Sequence, residues 1–257
     1  MSMLGWSINL FRVRGIRISL HITFFLLLAY WCNDGWKAAG MEGLLWSAAM
    51  FLAFFSCVVL HELGHSLTAM RFGVHVRRIL LTPLGGMAEF DQIPRRPSQE
   101  LWITVAGPAV NFVIAGLLWL VVDLPSDLGA GGATTNLMDL GQTLLKWNII
   151  MGVFNLIPAF PMDGGRILRA LLAMRLPYVK ATYWAATVAK IVTVPGALVA
   201  LFLGDYFLVA IFIFIFLAGE AEYRMAMRRE AEEAQWRAVL SQRIVTPPTD
   251  EPPPLSG

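Results

Sequence analysis

Residues 51–70 read FLAFFSCVVLHELGHSLTAM, and the run without charge reaches back to residue 43. Nothing between 43 and 60 would give a helix a polar face. His61, Glu62 and His65 then arrive inside the same apolar stretch, ten residues before Arg71. Ten helical residues rise about 15 Å. Polar groups that far inside an apolar span are costly unless they face a cavity, an ion or one another. The stretch therefore reads as a membrane helix with a chemical cluster part-way along it.

Positions 61 and 65 are four apart, so both imidazoles lie on one helix face. Two imidazoles at that spacing can grip one metal ion, and Glu62 on the adjoining face can take a proton from water that the ion activates. The plain alternative is a polar cluster that ties helices together by hydrogen bonds.

The rest of the composition agrees with a membrane setting. The chain is 57 % hydrophobic and 15 % charged. An ordinary soluble domain is roughly 45–50 % apolar and about 25 % charged. Spanning a hydrocarbon core of about 30 Å takes about 20 mainly apolar residues. Six stretches qualify as candidates: 18–33, 43–70, 101–122, 139–158, 181–203 and 206–219. The fourth and fifth are interrupted by Lys146 and Lys190, and the sixth runs on into a charged helical pattern. The expected class is therefore all-α integral membrane with six spans. The expected organisation is a core over 1–220, a charged cytoplasmic helix over 221–241 and a disordered Pro-rich tail over 242–257.

Charge placement gives an orientation. With six spans, the side shared by both termini, the 71–98 loop and the 159–180 segment, together with the helix ends facing it, holds 18 of the 20 Lys and Arg. The positive-inside rule makes that side cytoplasmic. Arg12, Arg14 and Arg17 ahead of an apolar run resemble the start of a signal peptide, but no small-residue cleavage pattern follows, so the run reads as an uncleaved first helix. Cys32 and Cys57 read as ordinary helix residues at different depths, without a bridge.

Residues 73–93 stand apart. Val74, Val76, Ile79 and Leu81 precede Pro83-Leu84-Gly85-Gly86, a turn signal. The segment reads either as a loop on the membrane surface or as a small β-hairpin near the cluster. Nothing resembles a phosphate loop or a nucleic-acid module, so no nucleic-acid partner is expected.

A zinc site needs a third protein ligand and an open position. His21, His75, Glu89, Asp91 and Asp163 lie on the same expected side, and periodicity does not choose among them. Asp163 stands in Asn155-Leu156-Ile157-Pro158-Ala159-Phe160-Pro161-Met162-Asp163-Gly164-Gly165-Arg166, where it would also serve as the N-cap of a short helix.

At this point the chain resembles the site-2 protease family of intramembrane zinc metalloproteases. That family pairs H-E-x-x-H with a later N-x-x-P-x-x-P-L-D-G, matched here by 61–65 and 155–164 with Met162 in place of Leu. Gly107-Pro108-Ala109-Val110-Asn111 matches the family's G-P-x-x-N, and the likeness covers about residues 8–220. The resemblance implies zinc on His61, His65 and Asp163, and water activation by Glu62. It implies a substrate or oxyanion role for Asn155. Gly107, Pro108 and Asn111 would be structural near the site. The strand at Gly85 and Gly86 would belong to a membrane-associated sheet able to pair with unwound substrate.

It further implies an endopeptidase acting on a single-span or membrane-tethered protein near the cytoplasmic leaflet of a bacterial plasma membrane. The connection 124–138 and the tail after 241 are too short for the accessory domains that many relatives carry, so regulation would come from partner membrane proteins. The rival from another class is a membrane metal transporter using the same His/Asp site, which would give Glu62 no special role.

Overall fold

The computed structural model describes residues 6–83, 85–91, 96–122 and 133–245. The expected Pro-rich tail lies outside these from 246 onward, as does the connection 123–132.

The chain opens with a sheet. Strand β1 (Ser7–Val13) pairs antiparallel with β2 (Ile16–His21). Their two-residue turn is Arg14-Gly15, with φ of 48° and 90°. Positive φ at both turn positions matches the twist of a tight hairpin. Strand β3 (Val76–Thr82) pairs parallel with β2, and β4 (Gly85–Phe90) pairs antiparallel with β3. The order is β1-β2-β3-β4, so β4 lies at one end of the sheet.

Two expectations are corrected here. The sheet has four strands, not the two of a hairpin. The first helix also begins at Ile22, so residues 18–21 are strand, not membrane span. Arg12, Arg14 and Arg17 had suggested charges flanking a helix, but they lie in a twisted hairpin whose Ile16, Ile18 and Leu20 point into the interior.

Helix α1 (Ile22–Arg71) has 50 residues. A straight helix of that length would measure about 75 Å, more than twice a hydrocarbon core. It is not straight. Ala39 and Gly40 leave helical geometry, and Gly40 sits at φ 60°, ψ −136°. The two arms fold back on each other, bringing Phe24 to ring-centroid distances of 5.2 Å from Phe51 and 4.7 Å from Phe55. His21 caps the first arm, its Nδ1 accepting from the Thr23 N–H at 3.3 Å.

Helices α2 (Pro97–Val122), α3 (Ala133–Asn155), α4 (Asp163–Ala173), α5 (Tyr178–Phe202) and α6 (Tyr206–Val245) follow. Helix α6 runs unbroken from its apolar start through the charged stretch.

Among the described residues, four helices are long and apolar enough to cross a membrane: α1, α2, α5 and α6. Helix α3, the expected fourth span, is not one of them; it carries Asp139, Lys146 and Asn148 and stops at Asn155. Large apolar side chains point outward in numbers unusual for a water-soluble surface, including Phe202, Leu203 and Phe207 at 91 %, 72 % and 77 % exposure.

The interior joins sheet and helices into one body. Ile16, Leu20 and Ile79 of the sheet, Phe24, Phe51, Phe55 and Val58 of both α1 arms, and Ile103 of α2 form one apolar cluster. Burial of each such side chain contributes about 1.5–3 kcal/mol. That cluster fixes the second arm of α1, which bears His61 and His65, against α2 and the sheet.

Candidate metal centre

Three side chains converge where α1, α2 and the start of α4 meet. His61 Nε2 and His65 Nε2 are 3.1 Å apart. Asp163 Oδ2 is 3.3 Å from the first and 3.2 Å from the second. All three residues are buried. Two imidazole nitrogens facing each other gain nothing without a shared proton or ion. Asp163 Oδ2 completes a nearly equilateral triangle with them, without a well-directed hydrogen bond.

A cation explains both features. Ligands about 2.0–2.1 Å from a tetrahedral zinc lie about 3.3–3.4 Å from each other, close to the spacing seen. The donor set of two imidazoles and one carboxylate, with a fourth position left over, suits zinc. Burial pushes the Asp163 carboxyl up, but the adjoining imidazoles of His61 and His65 outweigh it and hold the group below the ordinary carboxylate range.

Of the five candidates for a third ligand, Asp163 alone joins the histidines. His21 caps a helix, Glu89 pairs with Arg78 at 2.8 Å, and Asp91 pairs with Arg77. Asp163 opens α4, while Met162 takes the N-cap position, so Asp163 is not the cap its sequence context suggested. Gly164 makes this turn fit: a Cβ there would lie 2.2 Å from the Ile157 carbonyl oxygen.

Helix α2 shapes the other side of the site. A Cβ on Gly107 would lie 2.2 Å from His65 Nε2 and 2.9 Å from His61 Cε1. The bare backbone at Gly107 is therefore what leaves room for both rings. His65 Nδ1 meets the Ile103 carbonyl at 2.8 Å, and His61 Nδ1 meets the Asn111 side-chain amide at 3.1 Å. Pro108, inside α2, has no N–H, so the Thr104 carbonyl lacks its usual helical donor.

Glu62 projects beneath β4. A Cβ on Gly86 would lie 2.4 Å from Glu62 Cγ and 3.1 Å from its Oε1. Strand β4 thus passes directly over this carboxylate, and among the described residues β4 has a strand neighbour only on its β3 side. The more distant Gly85 takes φ 126° at the hairpin turn, where Thr82 Oγ1 donates to its carbonyl at 3.0 Å. Asn155 closes α3 with its Nδ2 donating to the Met151 carbonyl at 3.0 Å, so this hydrogen bond ties it to its own helix.

Beside the site, sequence reasoning missed a buried ionic cluster. Arg169 of α4 donates from Nε to Glu100 Oε1 at 2.9 Å and from Nη1 to Glu222 Oε2 at 3.1 Å. Its guanidinium also lies over the rings of Phe160 and Tyr178. The signal was only the presence of Glu100 and Arg169 next to apolar runs. Their partnership across 69 positions carries no local pattern.

Comparison with known proteins places this arrangement in context. The description "Peptidase family M50" matches residues 49–146 and 132–202. A zinc metalloprotease of Methanocaldococcus jannaschii is 38 % identical over 244 residues, covering 95 % of this chain and 67 % of the relative. Stage IV sporulation protein FB of Bacillus subtilis is 26 % identical over 147 residues, covering 57 % of this chain and 48 % of the relative. This chain thus spans about half to two thirds of these two relatives. The solved structure of a site-2 protease from Methanocaldococcus jannaschii superposes with a TM-score of 0.58 at 39 % identity, over 85 % of this chain and 95 % of that one.

Proposed function

Because the chain belongs to peptidase family M50 and is a zinc metalloendopeptidase of the membrane, we propose that it cuts a single-span or membrane-tethered protein near the cytoplasmic leaflet. The observation that supports this reading most is the convergence of His61, His65 and Asp163 beside Glu62, under an edge strand.

In this reading His61, His65 and Asp163 hold zinc. When bound, zinc supplies Lewis acidity toward a carbonyl oxygen and makes nearby water more acidic. Glu62 takes the proton of the attacking water and passes it to the leaving amine. Strand β4 offers its free edge to an extended substrate segment, because a substrate helix must unwind before its peptide bonds are accessible. Asn155 turns from its own helix to orient substrate or to donate to the developing oxyanion. Gly86 keeps the strand close to Glu62, Gly85 allows the turn that leads into it, and Gly107, Pro108 and Asn111 shape the helix behind the metal.

The membrane arrangement in this reading has six crossings. The two arms of α1 each cross once, α3 crosses with Lys146 reaching outward, and α2, α5 and α6 complete the set. Both termini then face the cytoplasm, on the Arg-rich side of a plasma membrane, and other membrane proteins supply the regulation.

The test compares wild type with Glu62→Gln in detergent, for bound zinc and for cleavage of a membrane-anchored substrate. About one zinc in each, with cleavage lowered by about 100-fold or more in the variant, is the expected result. A variant that cleaves at the wild-type rate would remove Glu62 from the mechanism. Metal flux through vesicles that persists in the variant would support the transporter instead. Equal cleavage of the same sequence as a soluble peptide would overturn the intramembrane part.

A further inference from the structure

Each histidine of the site meets helix α2 through its other ring nitrogen, and the two meetings differ. His65 Nδ1 faces a carbonyl, Ile103 O, at 2.8 Å. A carbonyl only accepts, so Nδ1 carries the proton and Nε2 keeps its lone pair. His61 Nδ1 faces the amide of Asn111 at 3.1 Å, and that amide can present either Nδ2 or Oδ1.

The two orientations have opposite consequences. With Nδ2 toward His61, the amide donates, the ring proton moves to Nε2, and no lone pair faces Asp163. Asn111 Oδ1 is then also left buried with no partner, in a residue with no exposed surface. A buried acceptor without a donor has lost its water and found no partner in exchange. With Oδ1 toward His61, the oxygen receives the Nδ1 proton. One rotation of the amide exchanges its two ends: Oδ1 gains a donor, Nδ2 moves to the place Oδ1 left, and His61 Nε2 is freed to bind metal, which is what decides between the two.

We propose that Asn111 is a positioning residue for His61: its amide oxygen accepts the Nδ1 proton and so aims the Nε2 lone pair at the point shared with His65 and Asp163. The Ile103 carbonyl does the same for His65. Helix α2 thereby fixes the tautomer of both ligands from residues eight apart. The assignment rests on the metal site proposed above.

The experiment measures zinc affinity by chelator competition, and melting of the metal-free protein, for wild type, Asn111→Leu and Asn111→Asp. Leucine fills the space without an acceptor; aspartate is of the same shape and can only accept. The expected result is a loss of about 10–100-fold in zinc affinity for the leucine variant, with affinity at or above wild type for the aspartate variant. The melting temperatures should not track the zinc affinities, as they would for a merely structural role. Wild-type affinity in the leucine variant would overturn the proposal, as would an aspartate variant that loses zinc as the leucine variant does. If the leucine variant does not fold, the aspartate variant decides alone, by keeping zinc or losing it. A wild type that binds no zinc would overturn the metal site itself, a distinguishable failure.

Discussion

Gly107 and His65 touch in a way no other residue type at 107 permits: a Cβ would stand 2.2 Å from the nitrogen that faces Asp163. Neither partner can yield easily, since His65 is also held at Nδ1 by the Ile103 carbonyl of the same helix. Gly107→Ala should therefore displace both rings from the metal position. Zinc affinity should fall by more than the about 10–100-fold expected for loss of an outer partner, while helical content by circular dichroism stays near wild type. Full zinc occupancy in this variant would mean that α2 can retreat, and that the close approach is not required.

Gly86 makes the matching prediction from the sheet side. Its added Cβ would meet Glu62 at Cγ, 2.4 Å away, in a half-buried side chain that can swing aside. Gly86→Ala should keep zinc and lower turnover by about 100-fold, the cost of misplacing a reacting group by about 1 Å. Zinc loss would place Gly86 in the support of the metal site; unchanged turnover would show that β4 moves before catalysis.

The Arg169 cluster predicts a stability effect that depends on which partner is removed. Arg169 and Glu100 are each 3 % exposed. Arg169→Met leaves a buried carboxylate unpaired, and should cost about 3–5 kcal/mol in unfolding free energy. Replacing both, with Glu100→Gln added, should recover most of that loss. Thermal unfolding in detergent gives the comparison, and a double variant no better than the single one would point to the ring contacts with Phe160 and Tyr178 as the main contribution.

The candidate site was more legible in the sequence than the fold was. His61 and His65 are local, and their spacing sets their common face on a helix. Asp163 followed from the resemblance, whose second motif, residues 155–164, is local as well. What Asn111 and Gly107 touch was not legible, because helix α2 meets the histidines some 50 positions later in the chain. The β1–β2 hairpin was hidden by its own arginines, which an apolar helix would equally want at its end. The break at Ala39-Gly40 lay within the expected connection between two spans, but that its arms pack through Phe24, Phe51 and Phe55 depended on tertiary contacts.

Strand β4 lies over Glu62 at Gly86, and among the described residues its outer edge has no strand neighbour. Successive residues of a strand face opposite ways, and a slip of one residue turns every side chain over. A segment lying along β4 could therefore shift only two residues at a time and still present the same face of its backbone to the carboxylate. Under the function proposed above, the sheet would then serve as a ruler, counting residues in pairs from the point where the substrate leaves its helix, so that alternative cuts in one substrate would fall an even number of residues apart.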